Sequence, residues 1–225
     1  MIKKILLLTF VYVNIILADG LDSSYYNIKD TSKKKETFFK FINNIAIIAN
    51  NNILDDREYI KNNFNLNTNR MINIRQRYRI QNNASLKDYL YKVDIIPISM
   101  IMAQAALETA WGKSRFFKQA KNIFGQWTWK GKGLVPKFRK KGSTHKVKIF
   151  SSYQNSLRAY LLNLNRGWAY KKLRKLRSIQ RSKNQKLTGT YLAKGLDKYS
   201  AKKEAYVGIV KSIINHNNLS IYDIY

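Results

Sequence analysis

The strongest constraint on this chain is the stretch Ile98–Gly112, ISMIMAQAALETAWG. Through Met100, Ile101, Ala103, Gln104, Ala105 and Leu107 it reads as apolar on almost every side of a helix. Such a segment belongs deep in a core and not on an amphipathic surface. It contains one acid, Glu108, and the residue at i−4 is the neutral Gln104. No Lys or Arg precedes it within a turn, and the nearest other acids are Asp94 and Asp197. A carboxylate in that setting is expected to have a raised pKa and to hold a proton near neutral pH. A buried glutamate can also be purely structural, satisfied by a helix N-terminus or a distant arginine, and the residues alone leave both readings open.

The helix fixes the order of what surrounds it. Asp19–Lys33, with Gly20, Ser23 and Ser24, reads as a polar linker. Apolar residues recur at helical spacing over Lys34–Asn51, and shorter helices are expected over Leu54–Phe64, Met71–Tyr78 and Ser85–Val93. Ser85 and Asp88 form a capping pair, and Pro97 is expected as the first residue of the Glu108 helix. Gly112 is expected to end that helix. The pattern then changes. Asn122–Phe150 carries Gly125, Gly131, Gly133, Gly142, Pro136 and the alternating Trp127 and Trp129, which predicts a small lobe of short antiparallel strands. From Tyr153 the helical period returns, with Lys171, Lys172, Arg174, Lys175 and Arg177 expected on a solvated side. The fold class read from pattern is mainly α with one small antiparallel β-lobe.

Charge and the first residues bear on the setting. Lys and Arg number 42 against 13 Asp and Glu, a formal net charge of +29. That excess either draws the chain to an anionic polymer or reflects a compositional bias toward Ile, Asn, Lys and Tyr. Met1–Ala18 has Lys3 and Lys4 followed by the mostly apolar Ile5–Leu17, the pattern of a secretory leader, with Ala18 as the expected cleavage point or a signal anchor if uncut. Cysteine is absent, so no disulfide or thiolate metal site is expected. His145 and His216 suggest no zinc site, and there is no phosphate-binding glycine loop, serine nucleophile elbow or nucleic-acid motif. No metal or cofactor is expected.

AQAALETAWG followed by NIFG resembles the AQAALESGWG and NLFG signature of the bacterial glucosaminidases of glycoside hydrolase family 73. Four further stretches, Lys34–Phe41, Val93–Ser99, Asn163–Arg174 and Leu192–Tyr206, resemble its Bax subgroup, and together they span most of the chain after residue 33. Thr109-Ala110 departs from the usual Ser-Gly, with both residues still small. The resemblance implies a lysozyme-like fold, residues 34–225 as the domain with a helical extension over 34–92, and a cleft beside the lobe at 122–150. It also implies an exported, periplasmic or wall-associated hydrolase, acting as a monomer on peptidoglycan.

Cleaving a glycosidic bond needs a proton delivered to the leaving oxygen, and a protonated Glu108 suits that role. The lobe has no acid to serve as a second carboxylate. The substrate's own N-acetyl group, a remote acid such as Asp197 or Glu204, or Tyr199 remain open for the second part. The family places a Tyr, followed by a second Tyr, near its active site. Tyr199 and Tyr206 resemble that pair with one extra residue between them, which implies a catalytic Tyr199 and a substrate contact at Tyr206. Phe124, Trp127 and Trp129 can stack on sugar rings or pack the hairpin, and Asn122 and Gln126 can bond the substrate or tie down the lobe. A lytic transglycosylase or muramidase and a non-catalytic basic wall-binding protein are the competing readings.

Overall fold

A computed structural model of the chain describes residues 20–137, 139 and 142–225. The expected leader, 1–18, lies outside the described residues. Ten helices and three short strands are present among them: α1 (Ser23–Asn27), α2 (Thr31–Asn63), α3 (Asn69–Tyr78), α4 (Leu86–Lys92), α5 (Ile98–Thr109), α6 (Arg115–Ala120), β1 (Trp127–Thr128), β2 (Gly133–Leu134), β3 (Lys146–Lys148), α7 (Tyr153–Arg166), α8 (Lys171–Ser182), α9 (Gly189–Leu192) and α10 (Glu204–His216). The fold is mainly α with a small antiparallel sheet, as the sequence pattern implies. None of the described helices is long and apolar enough to cross a membrane.

α5 is the axle. Every residue from Ile98 to Ala106 is buried, and α2, α9, α10 and the 3-10 turn Leu219–Tyr222 pack around it. Its start differs from expectation by one residue: Pro97 is the N-cap, in extended backbone, and the helix begins at Ile98. Proline has no hydroxyl or carboxylate to cap the free amides, so another group must. Asp223 does so from the far end of the chain. It accepts from Ser99 N at 2.9 Å, Ser99 Oγ at 2.7 Å and Gly189 N at 2.9 Å while itself buried. A carboxylate at a helix N-terminus is also favoured by the helix dipole.

The helix ends earlier than Gly112. Ala110, Trp111 and Gly112 are three successive residues at positive φ, of 48°, 59° and 72°. The first two carry a Cβ, and each such residue costs about 1–2 kcal/mol. The turn persists because partners close it from several sides. Trp111 N donates to Ala106 O at 3.0 Å, and Gly112 N to Thr109 Oγ1 at 2.8 Å. Tyr25 Oη donates to Trp111 O at 2.7 Å, and the indole packs against Phe38 and Phe39. This corrects the linker expected over 19–33. Asp22 caps α1, Tyr25 is buried, and the segment braces the turn that follows Glu108.

Two other expectations fail for the same reason, a distant partner. The Asn cluster at 50–52 does not separate two helices; α2 runs unbroken across it. Buried Asn50 exchanges bonds with Ile96, Nδ2 to Ile96 O at 2.8 Å and Ile96 N to Oδ1 at 3.3 Å. Arg174 and Arg177 on α8 are not solvated but buried. Arg177 donates to the carbonyls of Tyr91, Asp94 and Ile95 and to Asn165 Oδ1, filling the gap between α8 and the start of α5.

The β-lobe is a three-stranded antiparallel sheet in the order β1-β3-β2, with Trp127 opposite Val147 and Gly133 opposite Lys148. Val147 supplies its buried centre, and Phe150 N returns to Ala120 O at 2.9 Å, fastening the lobe to α6.

Candidate active site

Glu108 sits on the last turn of α5, half-buried, four residues after Gln104 and on the same face. Its Oε1 accepts from Tyr206 Oη, on α10, at 2.7 Å. Tyr206 Oη accepts in turn from Gln104 Nε2 at 3.0 Å, and Gln104 Oε1 accepts from Tyr160 Oη on α7. Tyr160, Gln104 and Tyr206 are all buried, so the three bonds form a dry series in which every proton points toward Glu108. Bonds aligned in this way polarise one another.

No cation pairs with Glu108 among the described residues. Burial pushes its carboxyl above the ordinary glutamate value, partly offset by the bond from Tyr206. The negative end of α5 lies at the same place and adds to the penalty on charge. Its own charge also acts outward. Burial, then the nearby Glu108 carboxylate, raises the phenols of Tyr206 and Tyr199. Tyr160 and Tyr170 are raised mainly by burial, with Glu108 contributing. All four phenols therefore stay neutral donors at physiological pH.

Of the two tyrosines, the structure brings Tyr206 and not Tyr199 into hydrogen-bond contact with Glu108. Tyr206, expected to contact substrate, is buried and bonds Glu108. Tyr199, expected to be catalytic, stacks on Tyr206 with ring centroids 5.2 Å apart and donates to Phe124 O at 3.3 Å. Its hydroxyl ties the entrance of the β-lobe to the tyrosine row instead of reaching the carboxylate. The remote acids do not return to Glu108 either: Asp197 and Glu204 both lie against Lys172, at 3.3 and 3.9 Å.

Three residues expected to bind substrate belong to the lobe's frame. Asn122 is 2% exposed, and its amide takes Gln126 N and gives to the carbonyls of Gln126 and Lys148. Phe124 is buried and stacked on Tyr160 at 3.7 Å. Gln126, with its amide oriented to satisfy both ends, bridges Ser156 O and Tyr160 N on α7, each at 3.1 Å. Trp127 and Trp129 differ. They are 54% and 66% exposed, and Trp127 stacks on His145 beside a groove of about 440 Å³ that Phe116, Pro136 and Arg139 also line.

Gln104 and Tyr160 are the site residues that sequence reasoning missed. Gln104 was readable only as a neutral neighbour of Glu108. The one local signal was an amide in a helix otherwise free of buried hydrogen-bonding side chains near its centre, which demands a partner. Chemically, the constellation is a carboxyl group biased toward its protonated form, held by one oxygen, with neutral donors behind it.

Residues 83–219 match a protein-family model named Glucosaminidase, described as mannosyl-glycoprotein endo-beta-N-acetylglucosaminidase. That match contains Glu108, the four tyrosines and the whole lobe. The chain is also 33% identical over 168 residues to Protein bax of Escherichia coli (strain K12), covering 72% of this chain and 60% of that protein. The matched segment thus spans less than two thirds of that relative's length. No solved structure matches the chain.

Proposed function

Since the chain belongs to the glucosaminidase-domain family and is Bax-like, we propose that it is an exported peptidoglycan hydrolase that cleaves the glycan strand at N-acetylglucosamine, with Glu108 as general acid. The observation that carries this reading is the Glu108–Tyr206 pair, a carboxyl raised by burial and held through Oε1 alone. With Tyr206 donating to Oε1, the carboxyl proton resides on Oε2 and is given to the leaving glycosidic oxygen. As that bond breaks, Glu108 becomes a carboxylate, and the bond from Tyr206 strengthens because its acceptor is now charged. Gln104 and Tyr160 brace Tyr206 so that it does not have to reorient during the step.

Asp197 is hydrogen-bonded to Lys172 and Glu204 lies within 3.9 Å of the same ammonium, which leaves Glu108 without a carboxylate partner among the described residues. That supports a substrate-assisted course, with the N-acetyl group of the sugar attacking its own anomeric carbon. Trp127 and Trp129 offer exposed faces for the glycan. The net charge of +29 suits a polymer whose peptide stems carry carboxylates. The same lone acid also favours a second reading, a lytic transglycosylase, in which the 6-hydroxyl of the muramic acid captures the sugar cation.

Purified peptidoglycan digested with the wild type and with Glu108→Gln tests both. New reducing-end N-acetylglucosamine, lost in the variant, is the expected result. New 1,6-anhydromuramyl ends point to the transglycosylase. Cleavage retained in Glu108→Gln removes that residue from the role, and no cleavage by the wild type leaves a wall-binding protein.

A further inference from the structure

Trp168 is 74% exposed, more than any other large apolar side chain among the described residues. It is nonetheless mounted on rigid backbone. It opens the 3-10 turn Trp168–Tyr170, whose Tyr170 is buried. Gly167 O, just before it, accepts from Tyr170 N at 3.2 Å and from Arg174 Nη1 at 2.8 Å. A Cβ on Gly167 would come within 2.7 Å of Asn163 O, so the turn sits hard against the end of α7. An indole fixed in water forgoes the burial that most tryptophans obtain.

Lys198 lies over one side of that ring, its Nζ 5.3 Å from the centroid. It has no carboxylate partner among the described residues; its neighbour Asp197 is taken by Lys172. Both residues are linked to the candidate site through their chain neighbours. Tyr170 and Tyr199, one beside each, have ring centroids 6.3 Å apart, and Tyr199 stacks on Tyr206, which bonds Glu108. The row Tyr206–Tyr199–Tyr170 thus runs into the two backbone segments that carry the indole and its lysine.

We propose that Trp168 and Lys198 form a saccharide-anchoring subsite for a carboxylate-bearing amino sugar of the glycan strand. This rests on the glycan-cutting reading above. The indole face stacks on the C–H face of a pyranose ring, and the ammonium pairs with the lactyl or peptide-stem carboxylate that muramic acid carries and N-acetylglucosamine does not. Trp168 supplies affinity for any amino sugar at this position, and Lys198 supplies the preference for the acidic one.

The test uses Glu108→Gln as the parent, so that binding is read without turnover. It is titrated calorimetrically with an N-acetylglucosaminyl–N-acetylmuramic acid tetrasaccharide and with chitotetraose, which has the same length and no carboxylate. Adding Trp168→Ala is expected to weaken both about tenfold, the size of one lost ring stack, with Trp168→Phe recovering part of it. Adding Lys198→Ala is expected to weaken only the muramic acid saccharide, and only at low salt. Equal binding by the parent and its Trp168→Ala form, with both folded by near-ultraviolet circular dichroism, overturns the subsite. Equal losses for the two saccharides in Lys198→Ala overturn the acidic preference. Wall cleavage is measured separately in chains that keep Glu108. Cleavage with unchanged Trp168→Ala binding sinks the subsite and spares the hydrolase. Lost Trp168→Ala binding without wild-type cleavage does the reverse. A parent that binds neither saccharide overturns both.

Discussion

Asp94 and Glu108 lie near opposite ends of α5, and the protein treats them in opposite ways. Asp94 is 1% exposed and ringed by three arginines. Arg181 holds both its oxygens, at 2.9 and 3.0 Å, while Arg57 and Arg177 approach to 3.8 Å. Burial alone would raise its carboxyl, but the arginines overcome that and hold it below the ordinary aspartate value. Glu108 is less buried yet raised, because its burial is opposed only by the hydrogen bond of a neutral phenol and by no cation among the described residues. Burial alone therefore does not decide which way a carboxyl shifts; the charge of what faces it does.

The comparison breaks most visibly through Glu108 itself. Glu108→Gln should lose about 100- to 10,000-fold in wall cleavage, the range for a missing proton donor. It should not lose stability at neutral pH. Because the folded carboxyl is raised, the unfolded chain ionises first as pH climbs past the ordinary glutamate value, and the native state is weakened from there up to its own pKa. Gln removes that loss, so thermal melts of the variant at neutral pH should match or exceed the wild type.

Asp94→Asn should do the converse. It leaves three buried or half-buried guanidinium groups uncompensated and should cost about 3–5 kcal/mol in urea denaturation. The depressed carboxyl contributes stability above the ordinary aspartate value that is lost as pH falls through its own lower pKa, and the variant should lack that acid-linked loss.

Tyr206→Phe sharpens the contrast at smaller scale. Cleavage should slow about tenfold, since one donor to the developing carboxylate is gone. The lost bond was holding the Glu108 pKa down, so the alkaline limb of the pH–rate profile should move upward. Tyr25→Phe is expected to have the smallest effect. It removes the bond to Trp111 O and should cost about 1 kcal/mol of stability, with a smaller fall in rate than Tyr206→Phe.

These differences explain what the sequence could tell. The α5 helix was legible because deep burial excludes charge along the whole run, leaving Glu108 conspicuous. The lobe was legible because strands and tight turns require alternation and glycine locally. What was not legible depends on partners far along the chain. A polar segment around Tyr25 looks like a linker until its hydroxyl meets Trp111, 86 positions later. Arg177 looks solvated until it meets the carbonyls ahead of α5, 82 to 86 positions earlier. Which of Tyr199 and Tyr206 faces Glu108 was equally hidden, since local spacing carries no information about that. The lobe residues Asn122 and Gln126 had the right chemistry for sugar but are committed to backbone.

Glu108 receives its hydrogen bond from a residue 98 positions downstream, and the capping of α5 waits for one 124 positions beyond Ser99. Contacts that far apart in sequence carry the largest loop-closure entropy. A chain still being synthesised, front end first, therefore presents position 108 as an ordinary solvated acid, charged at neutral pH. Only when the last stretch docks does the carboxyl acquire the setting that raises its pKa, so that setting belongs to the finished tertiary structure.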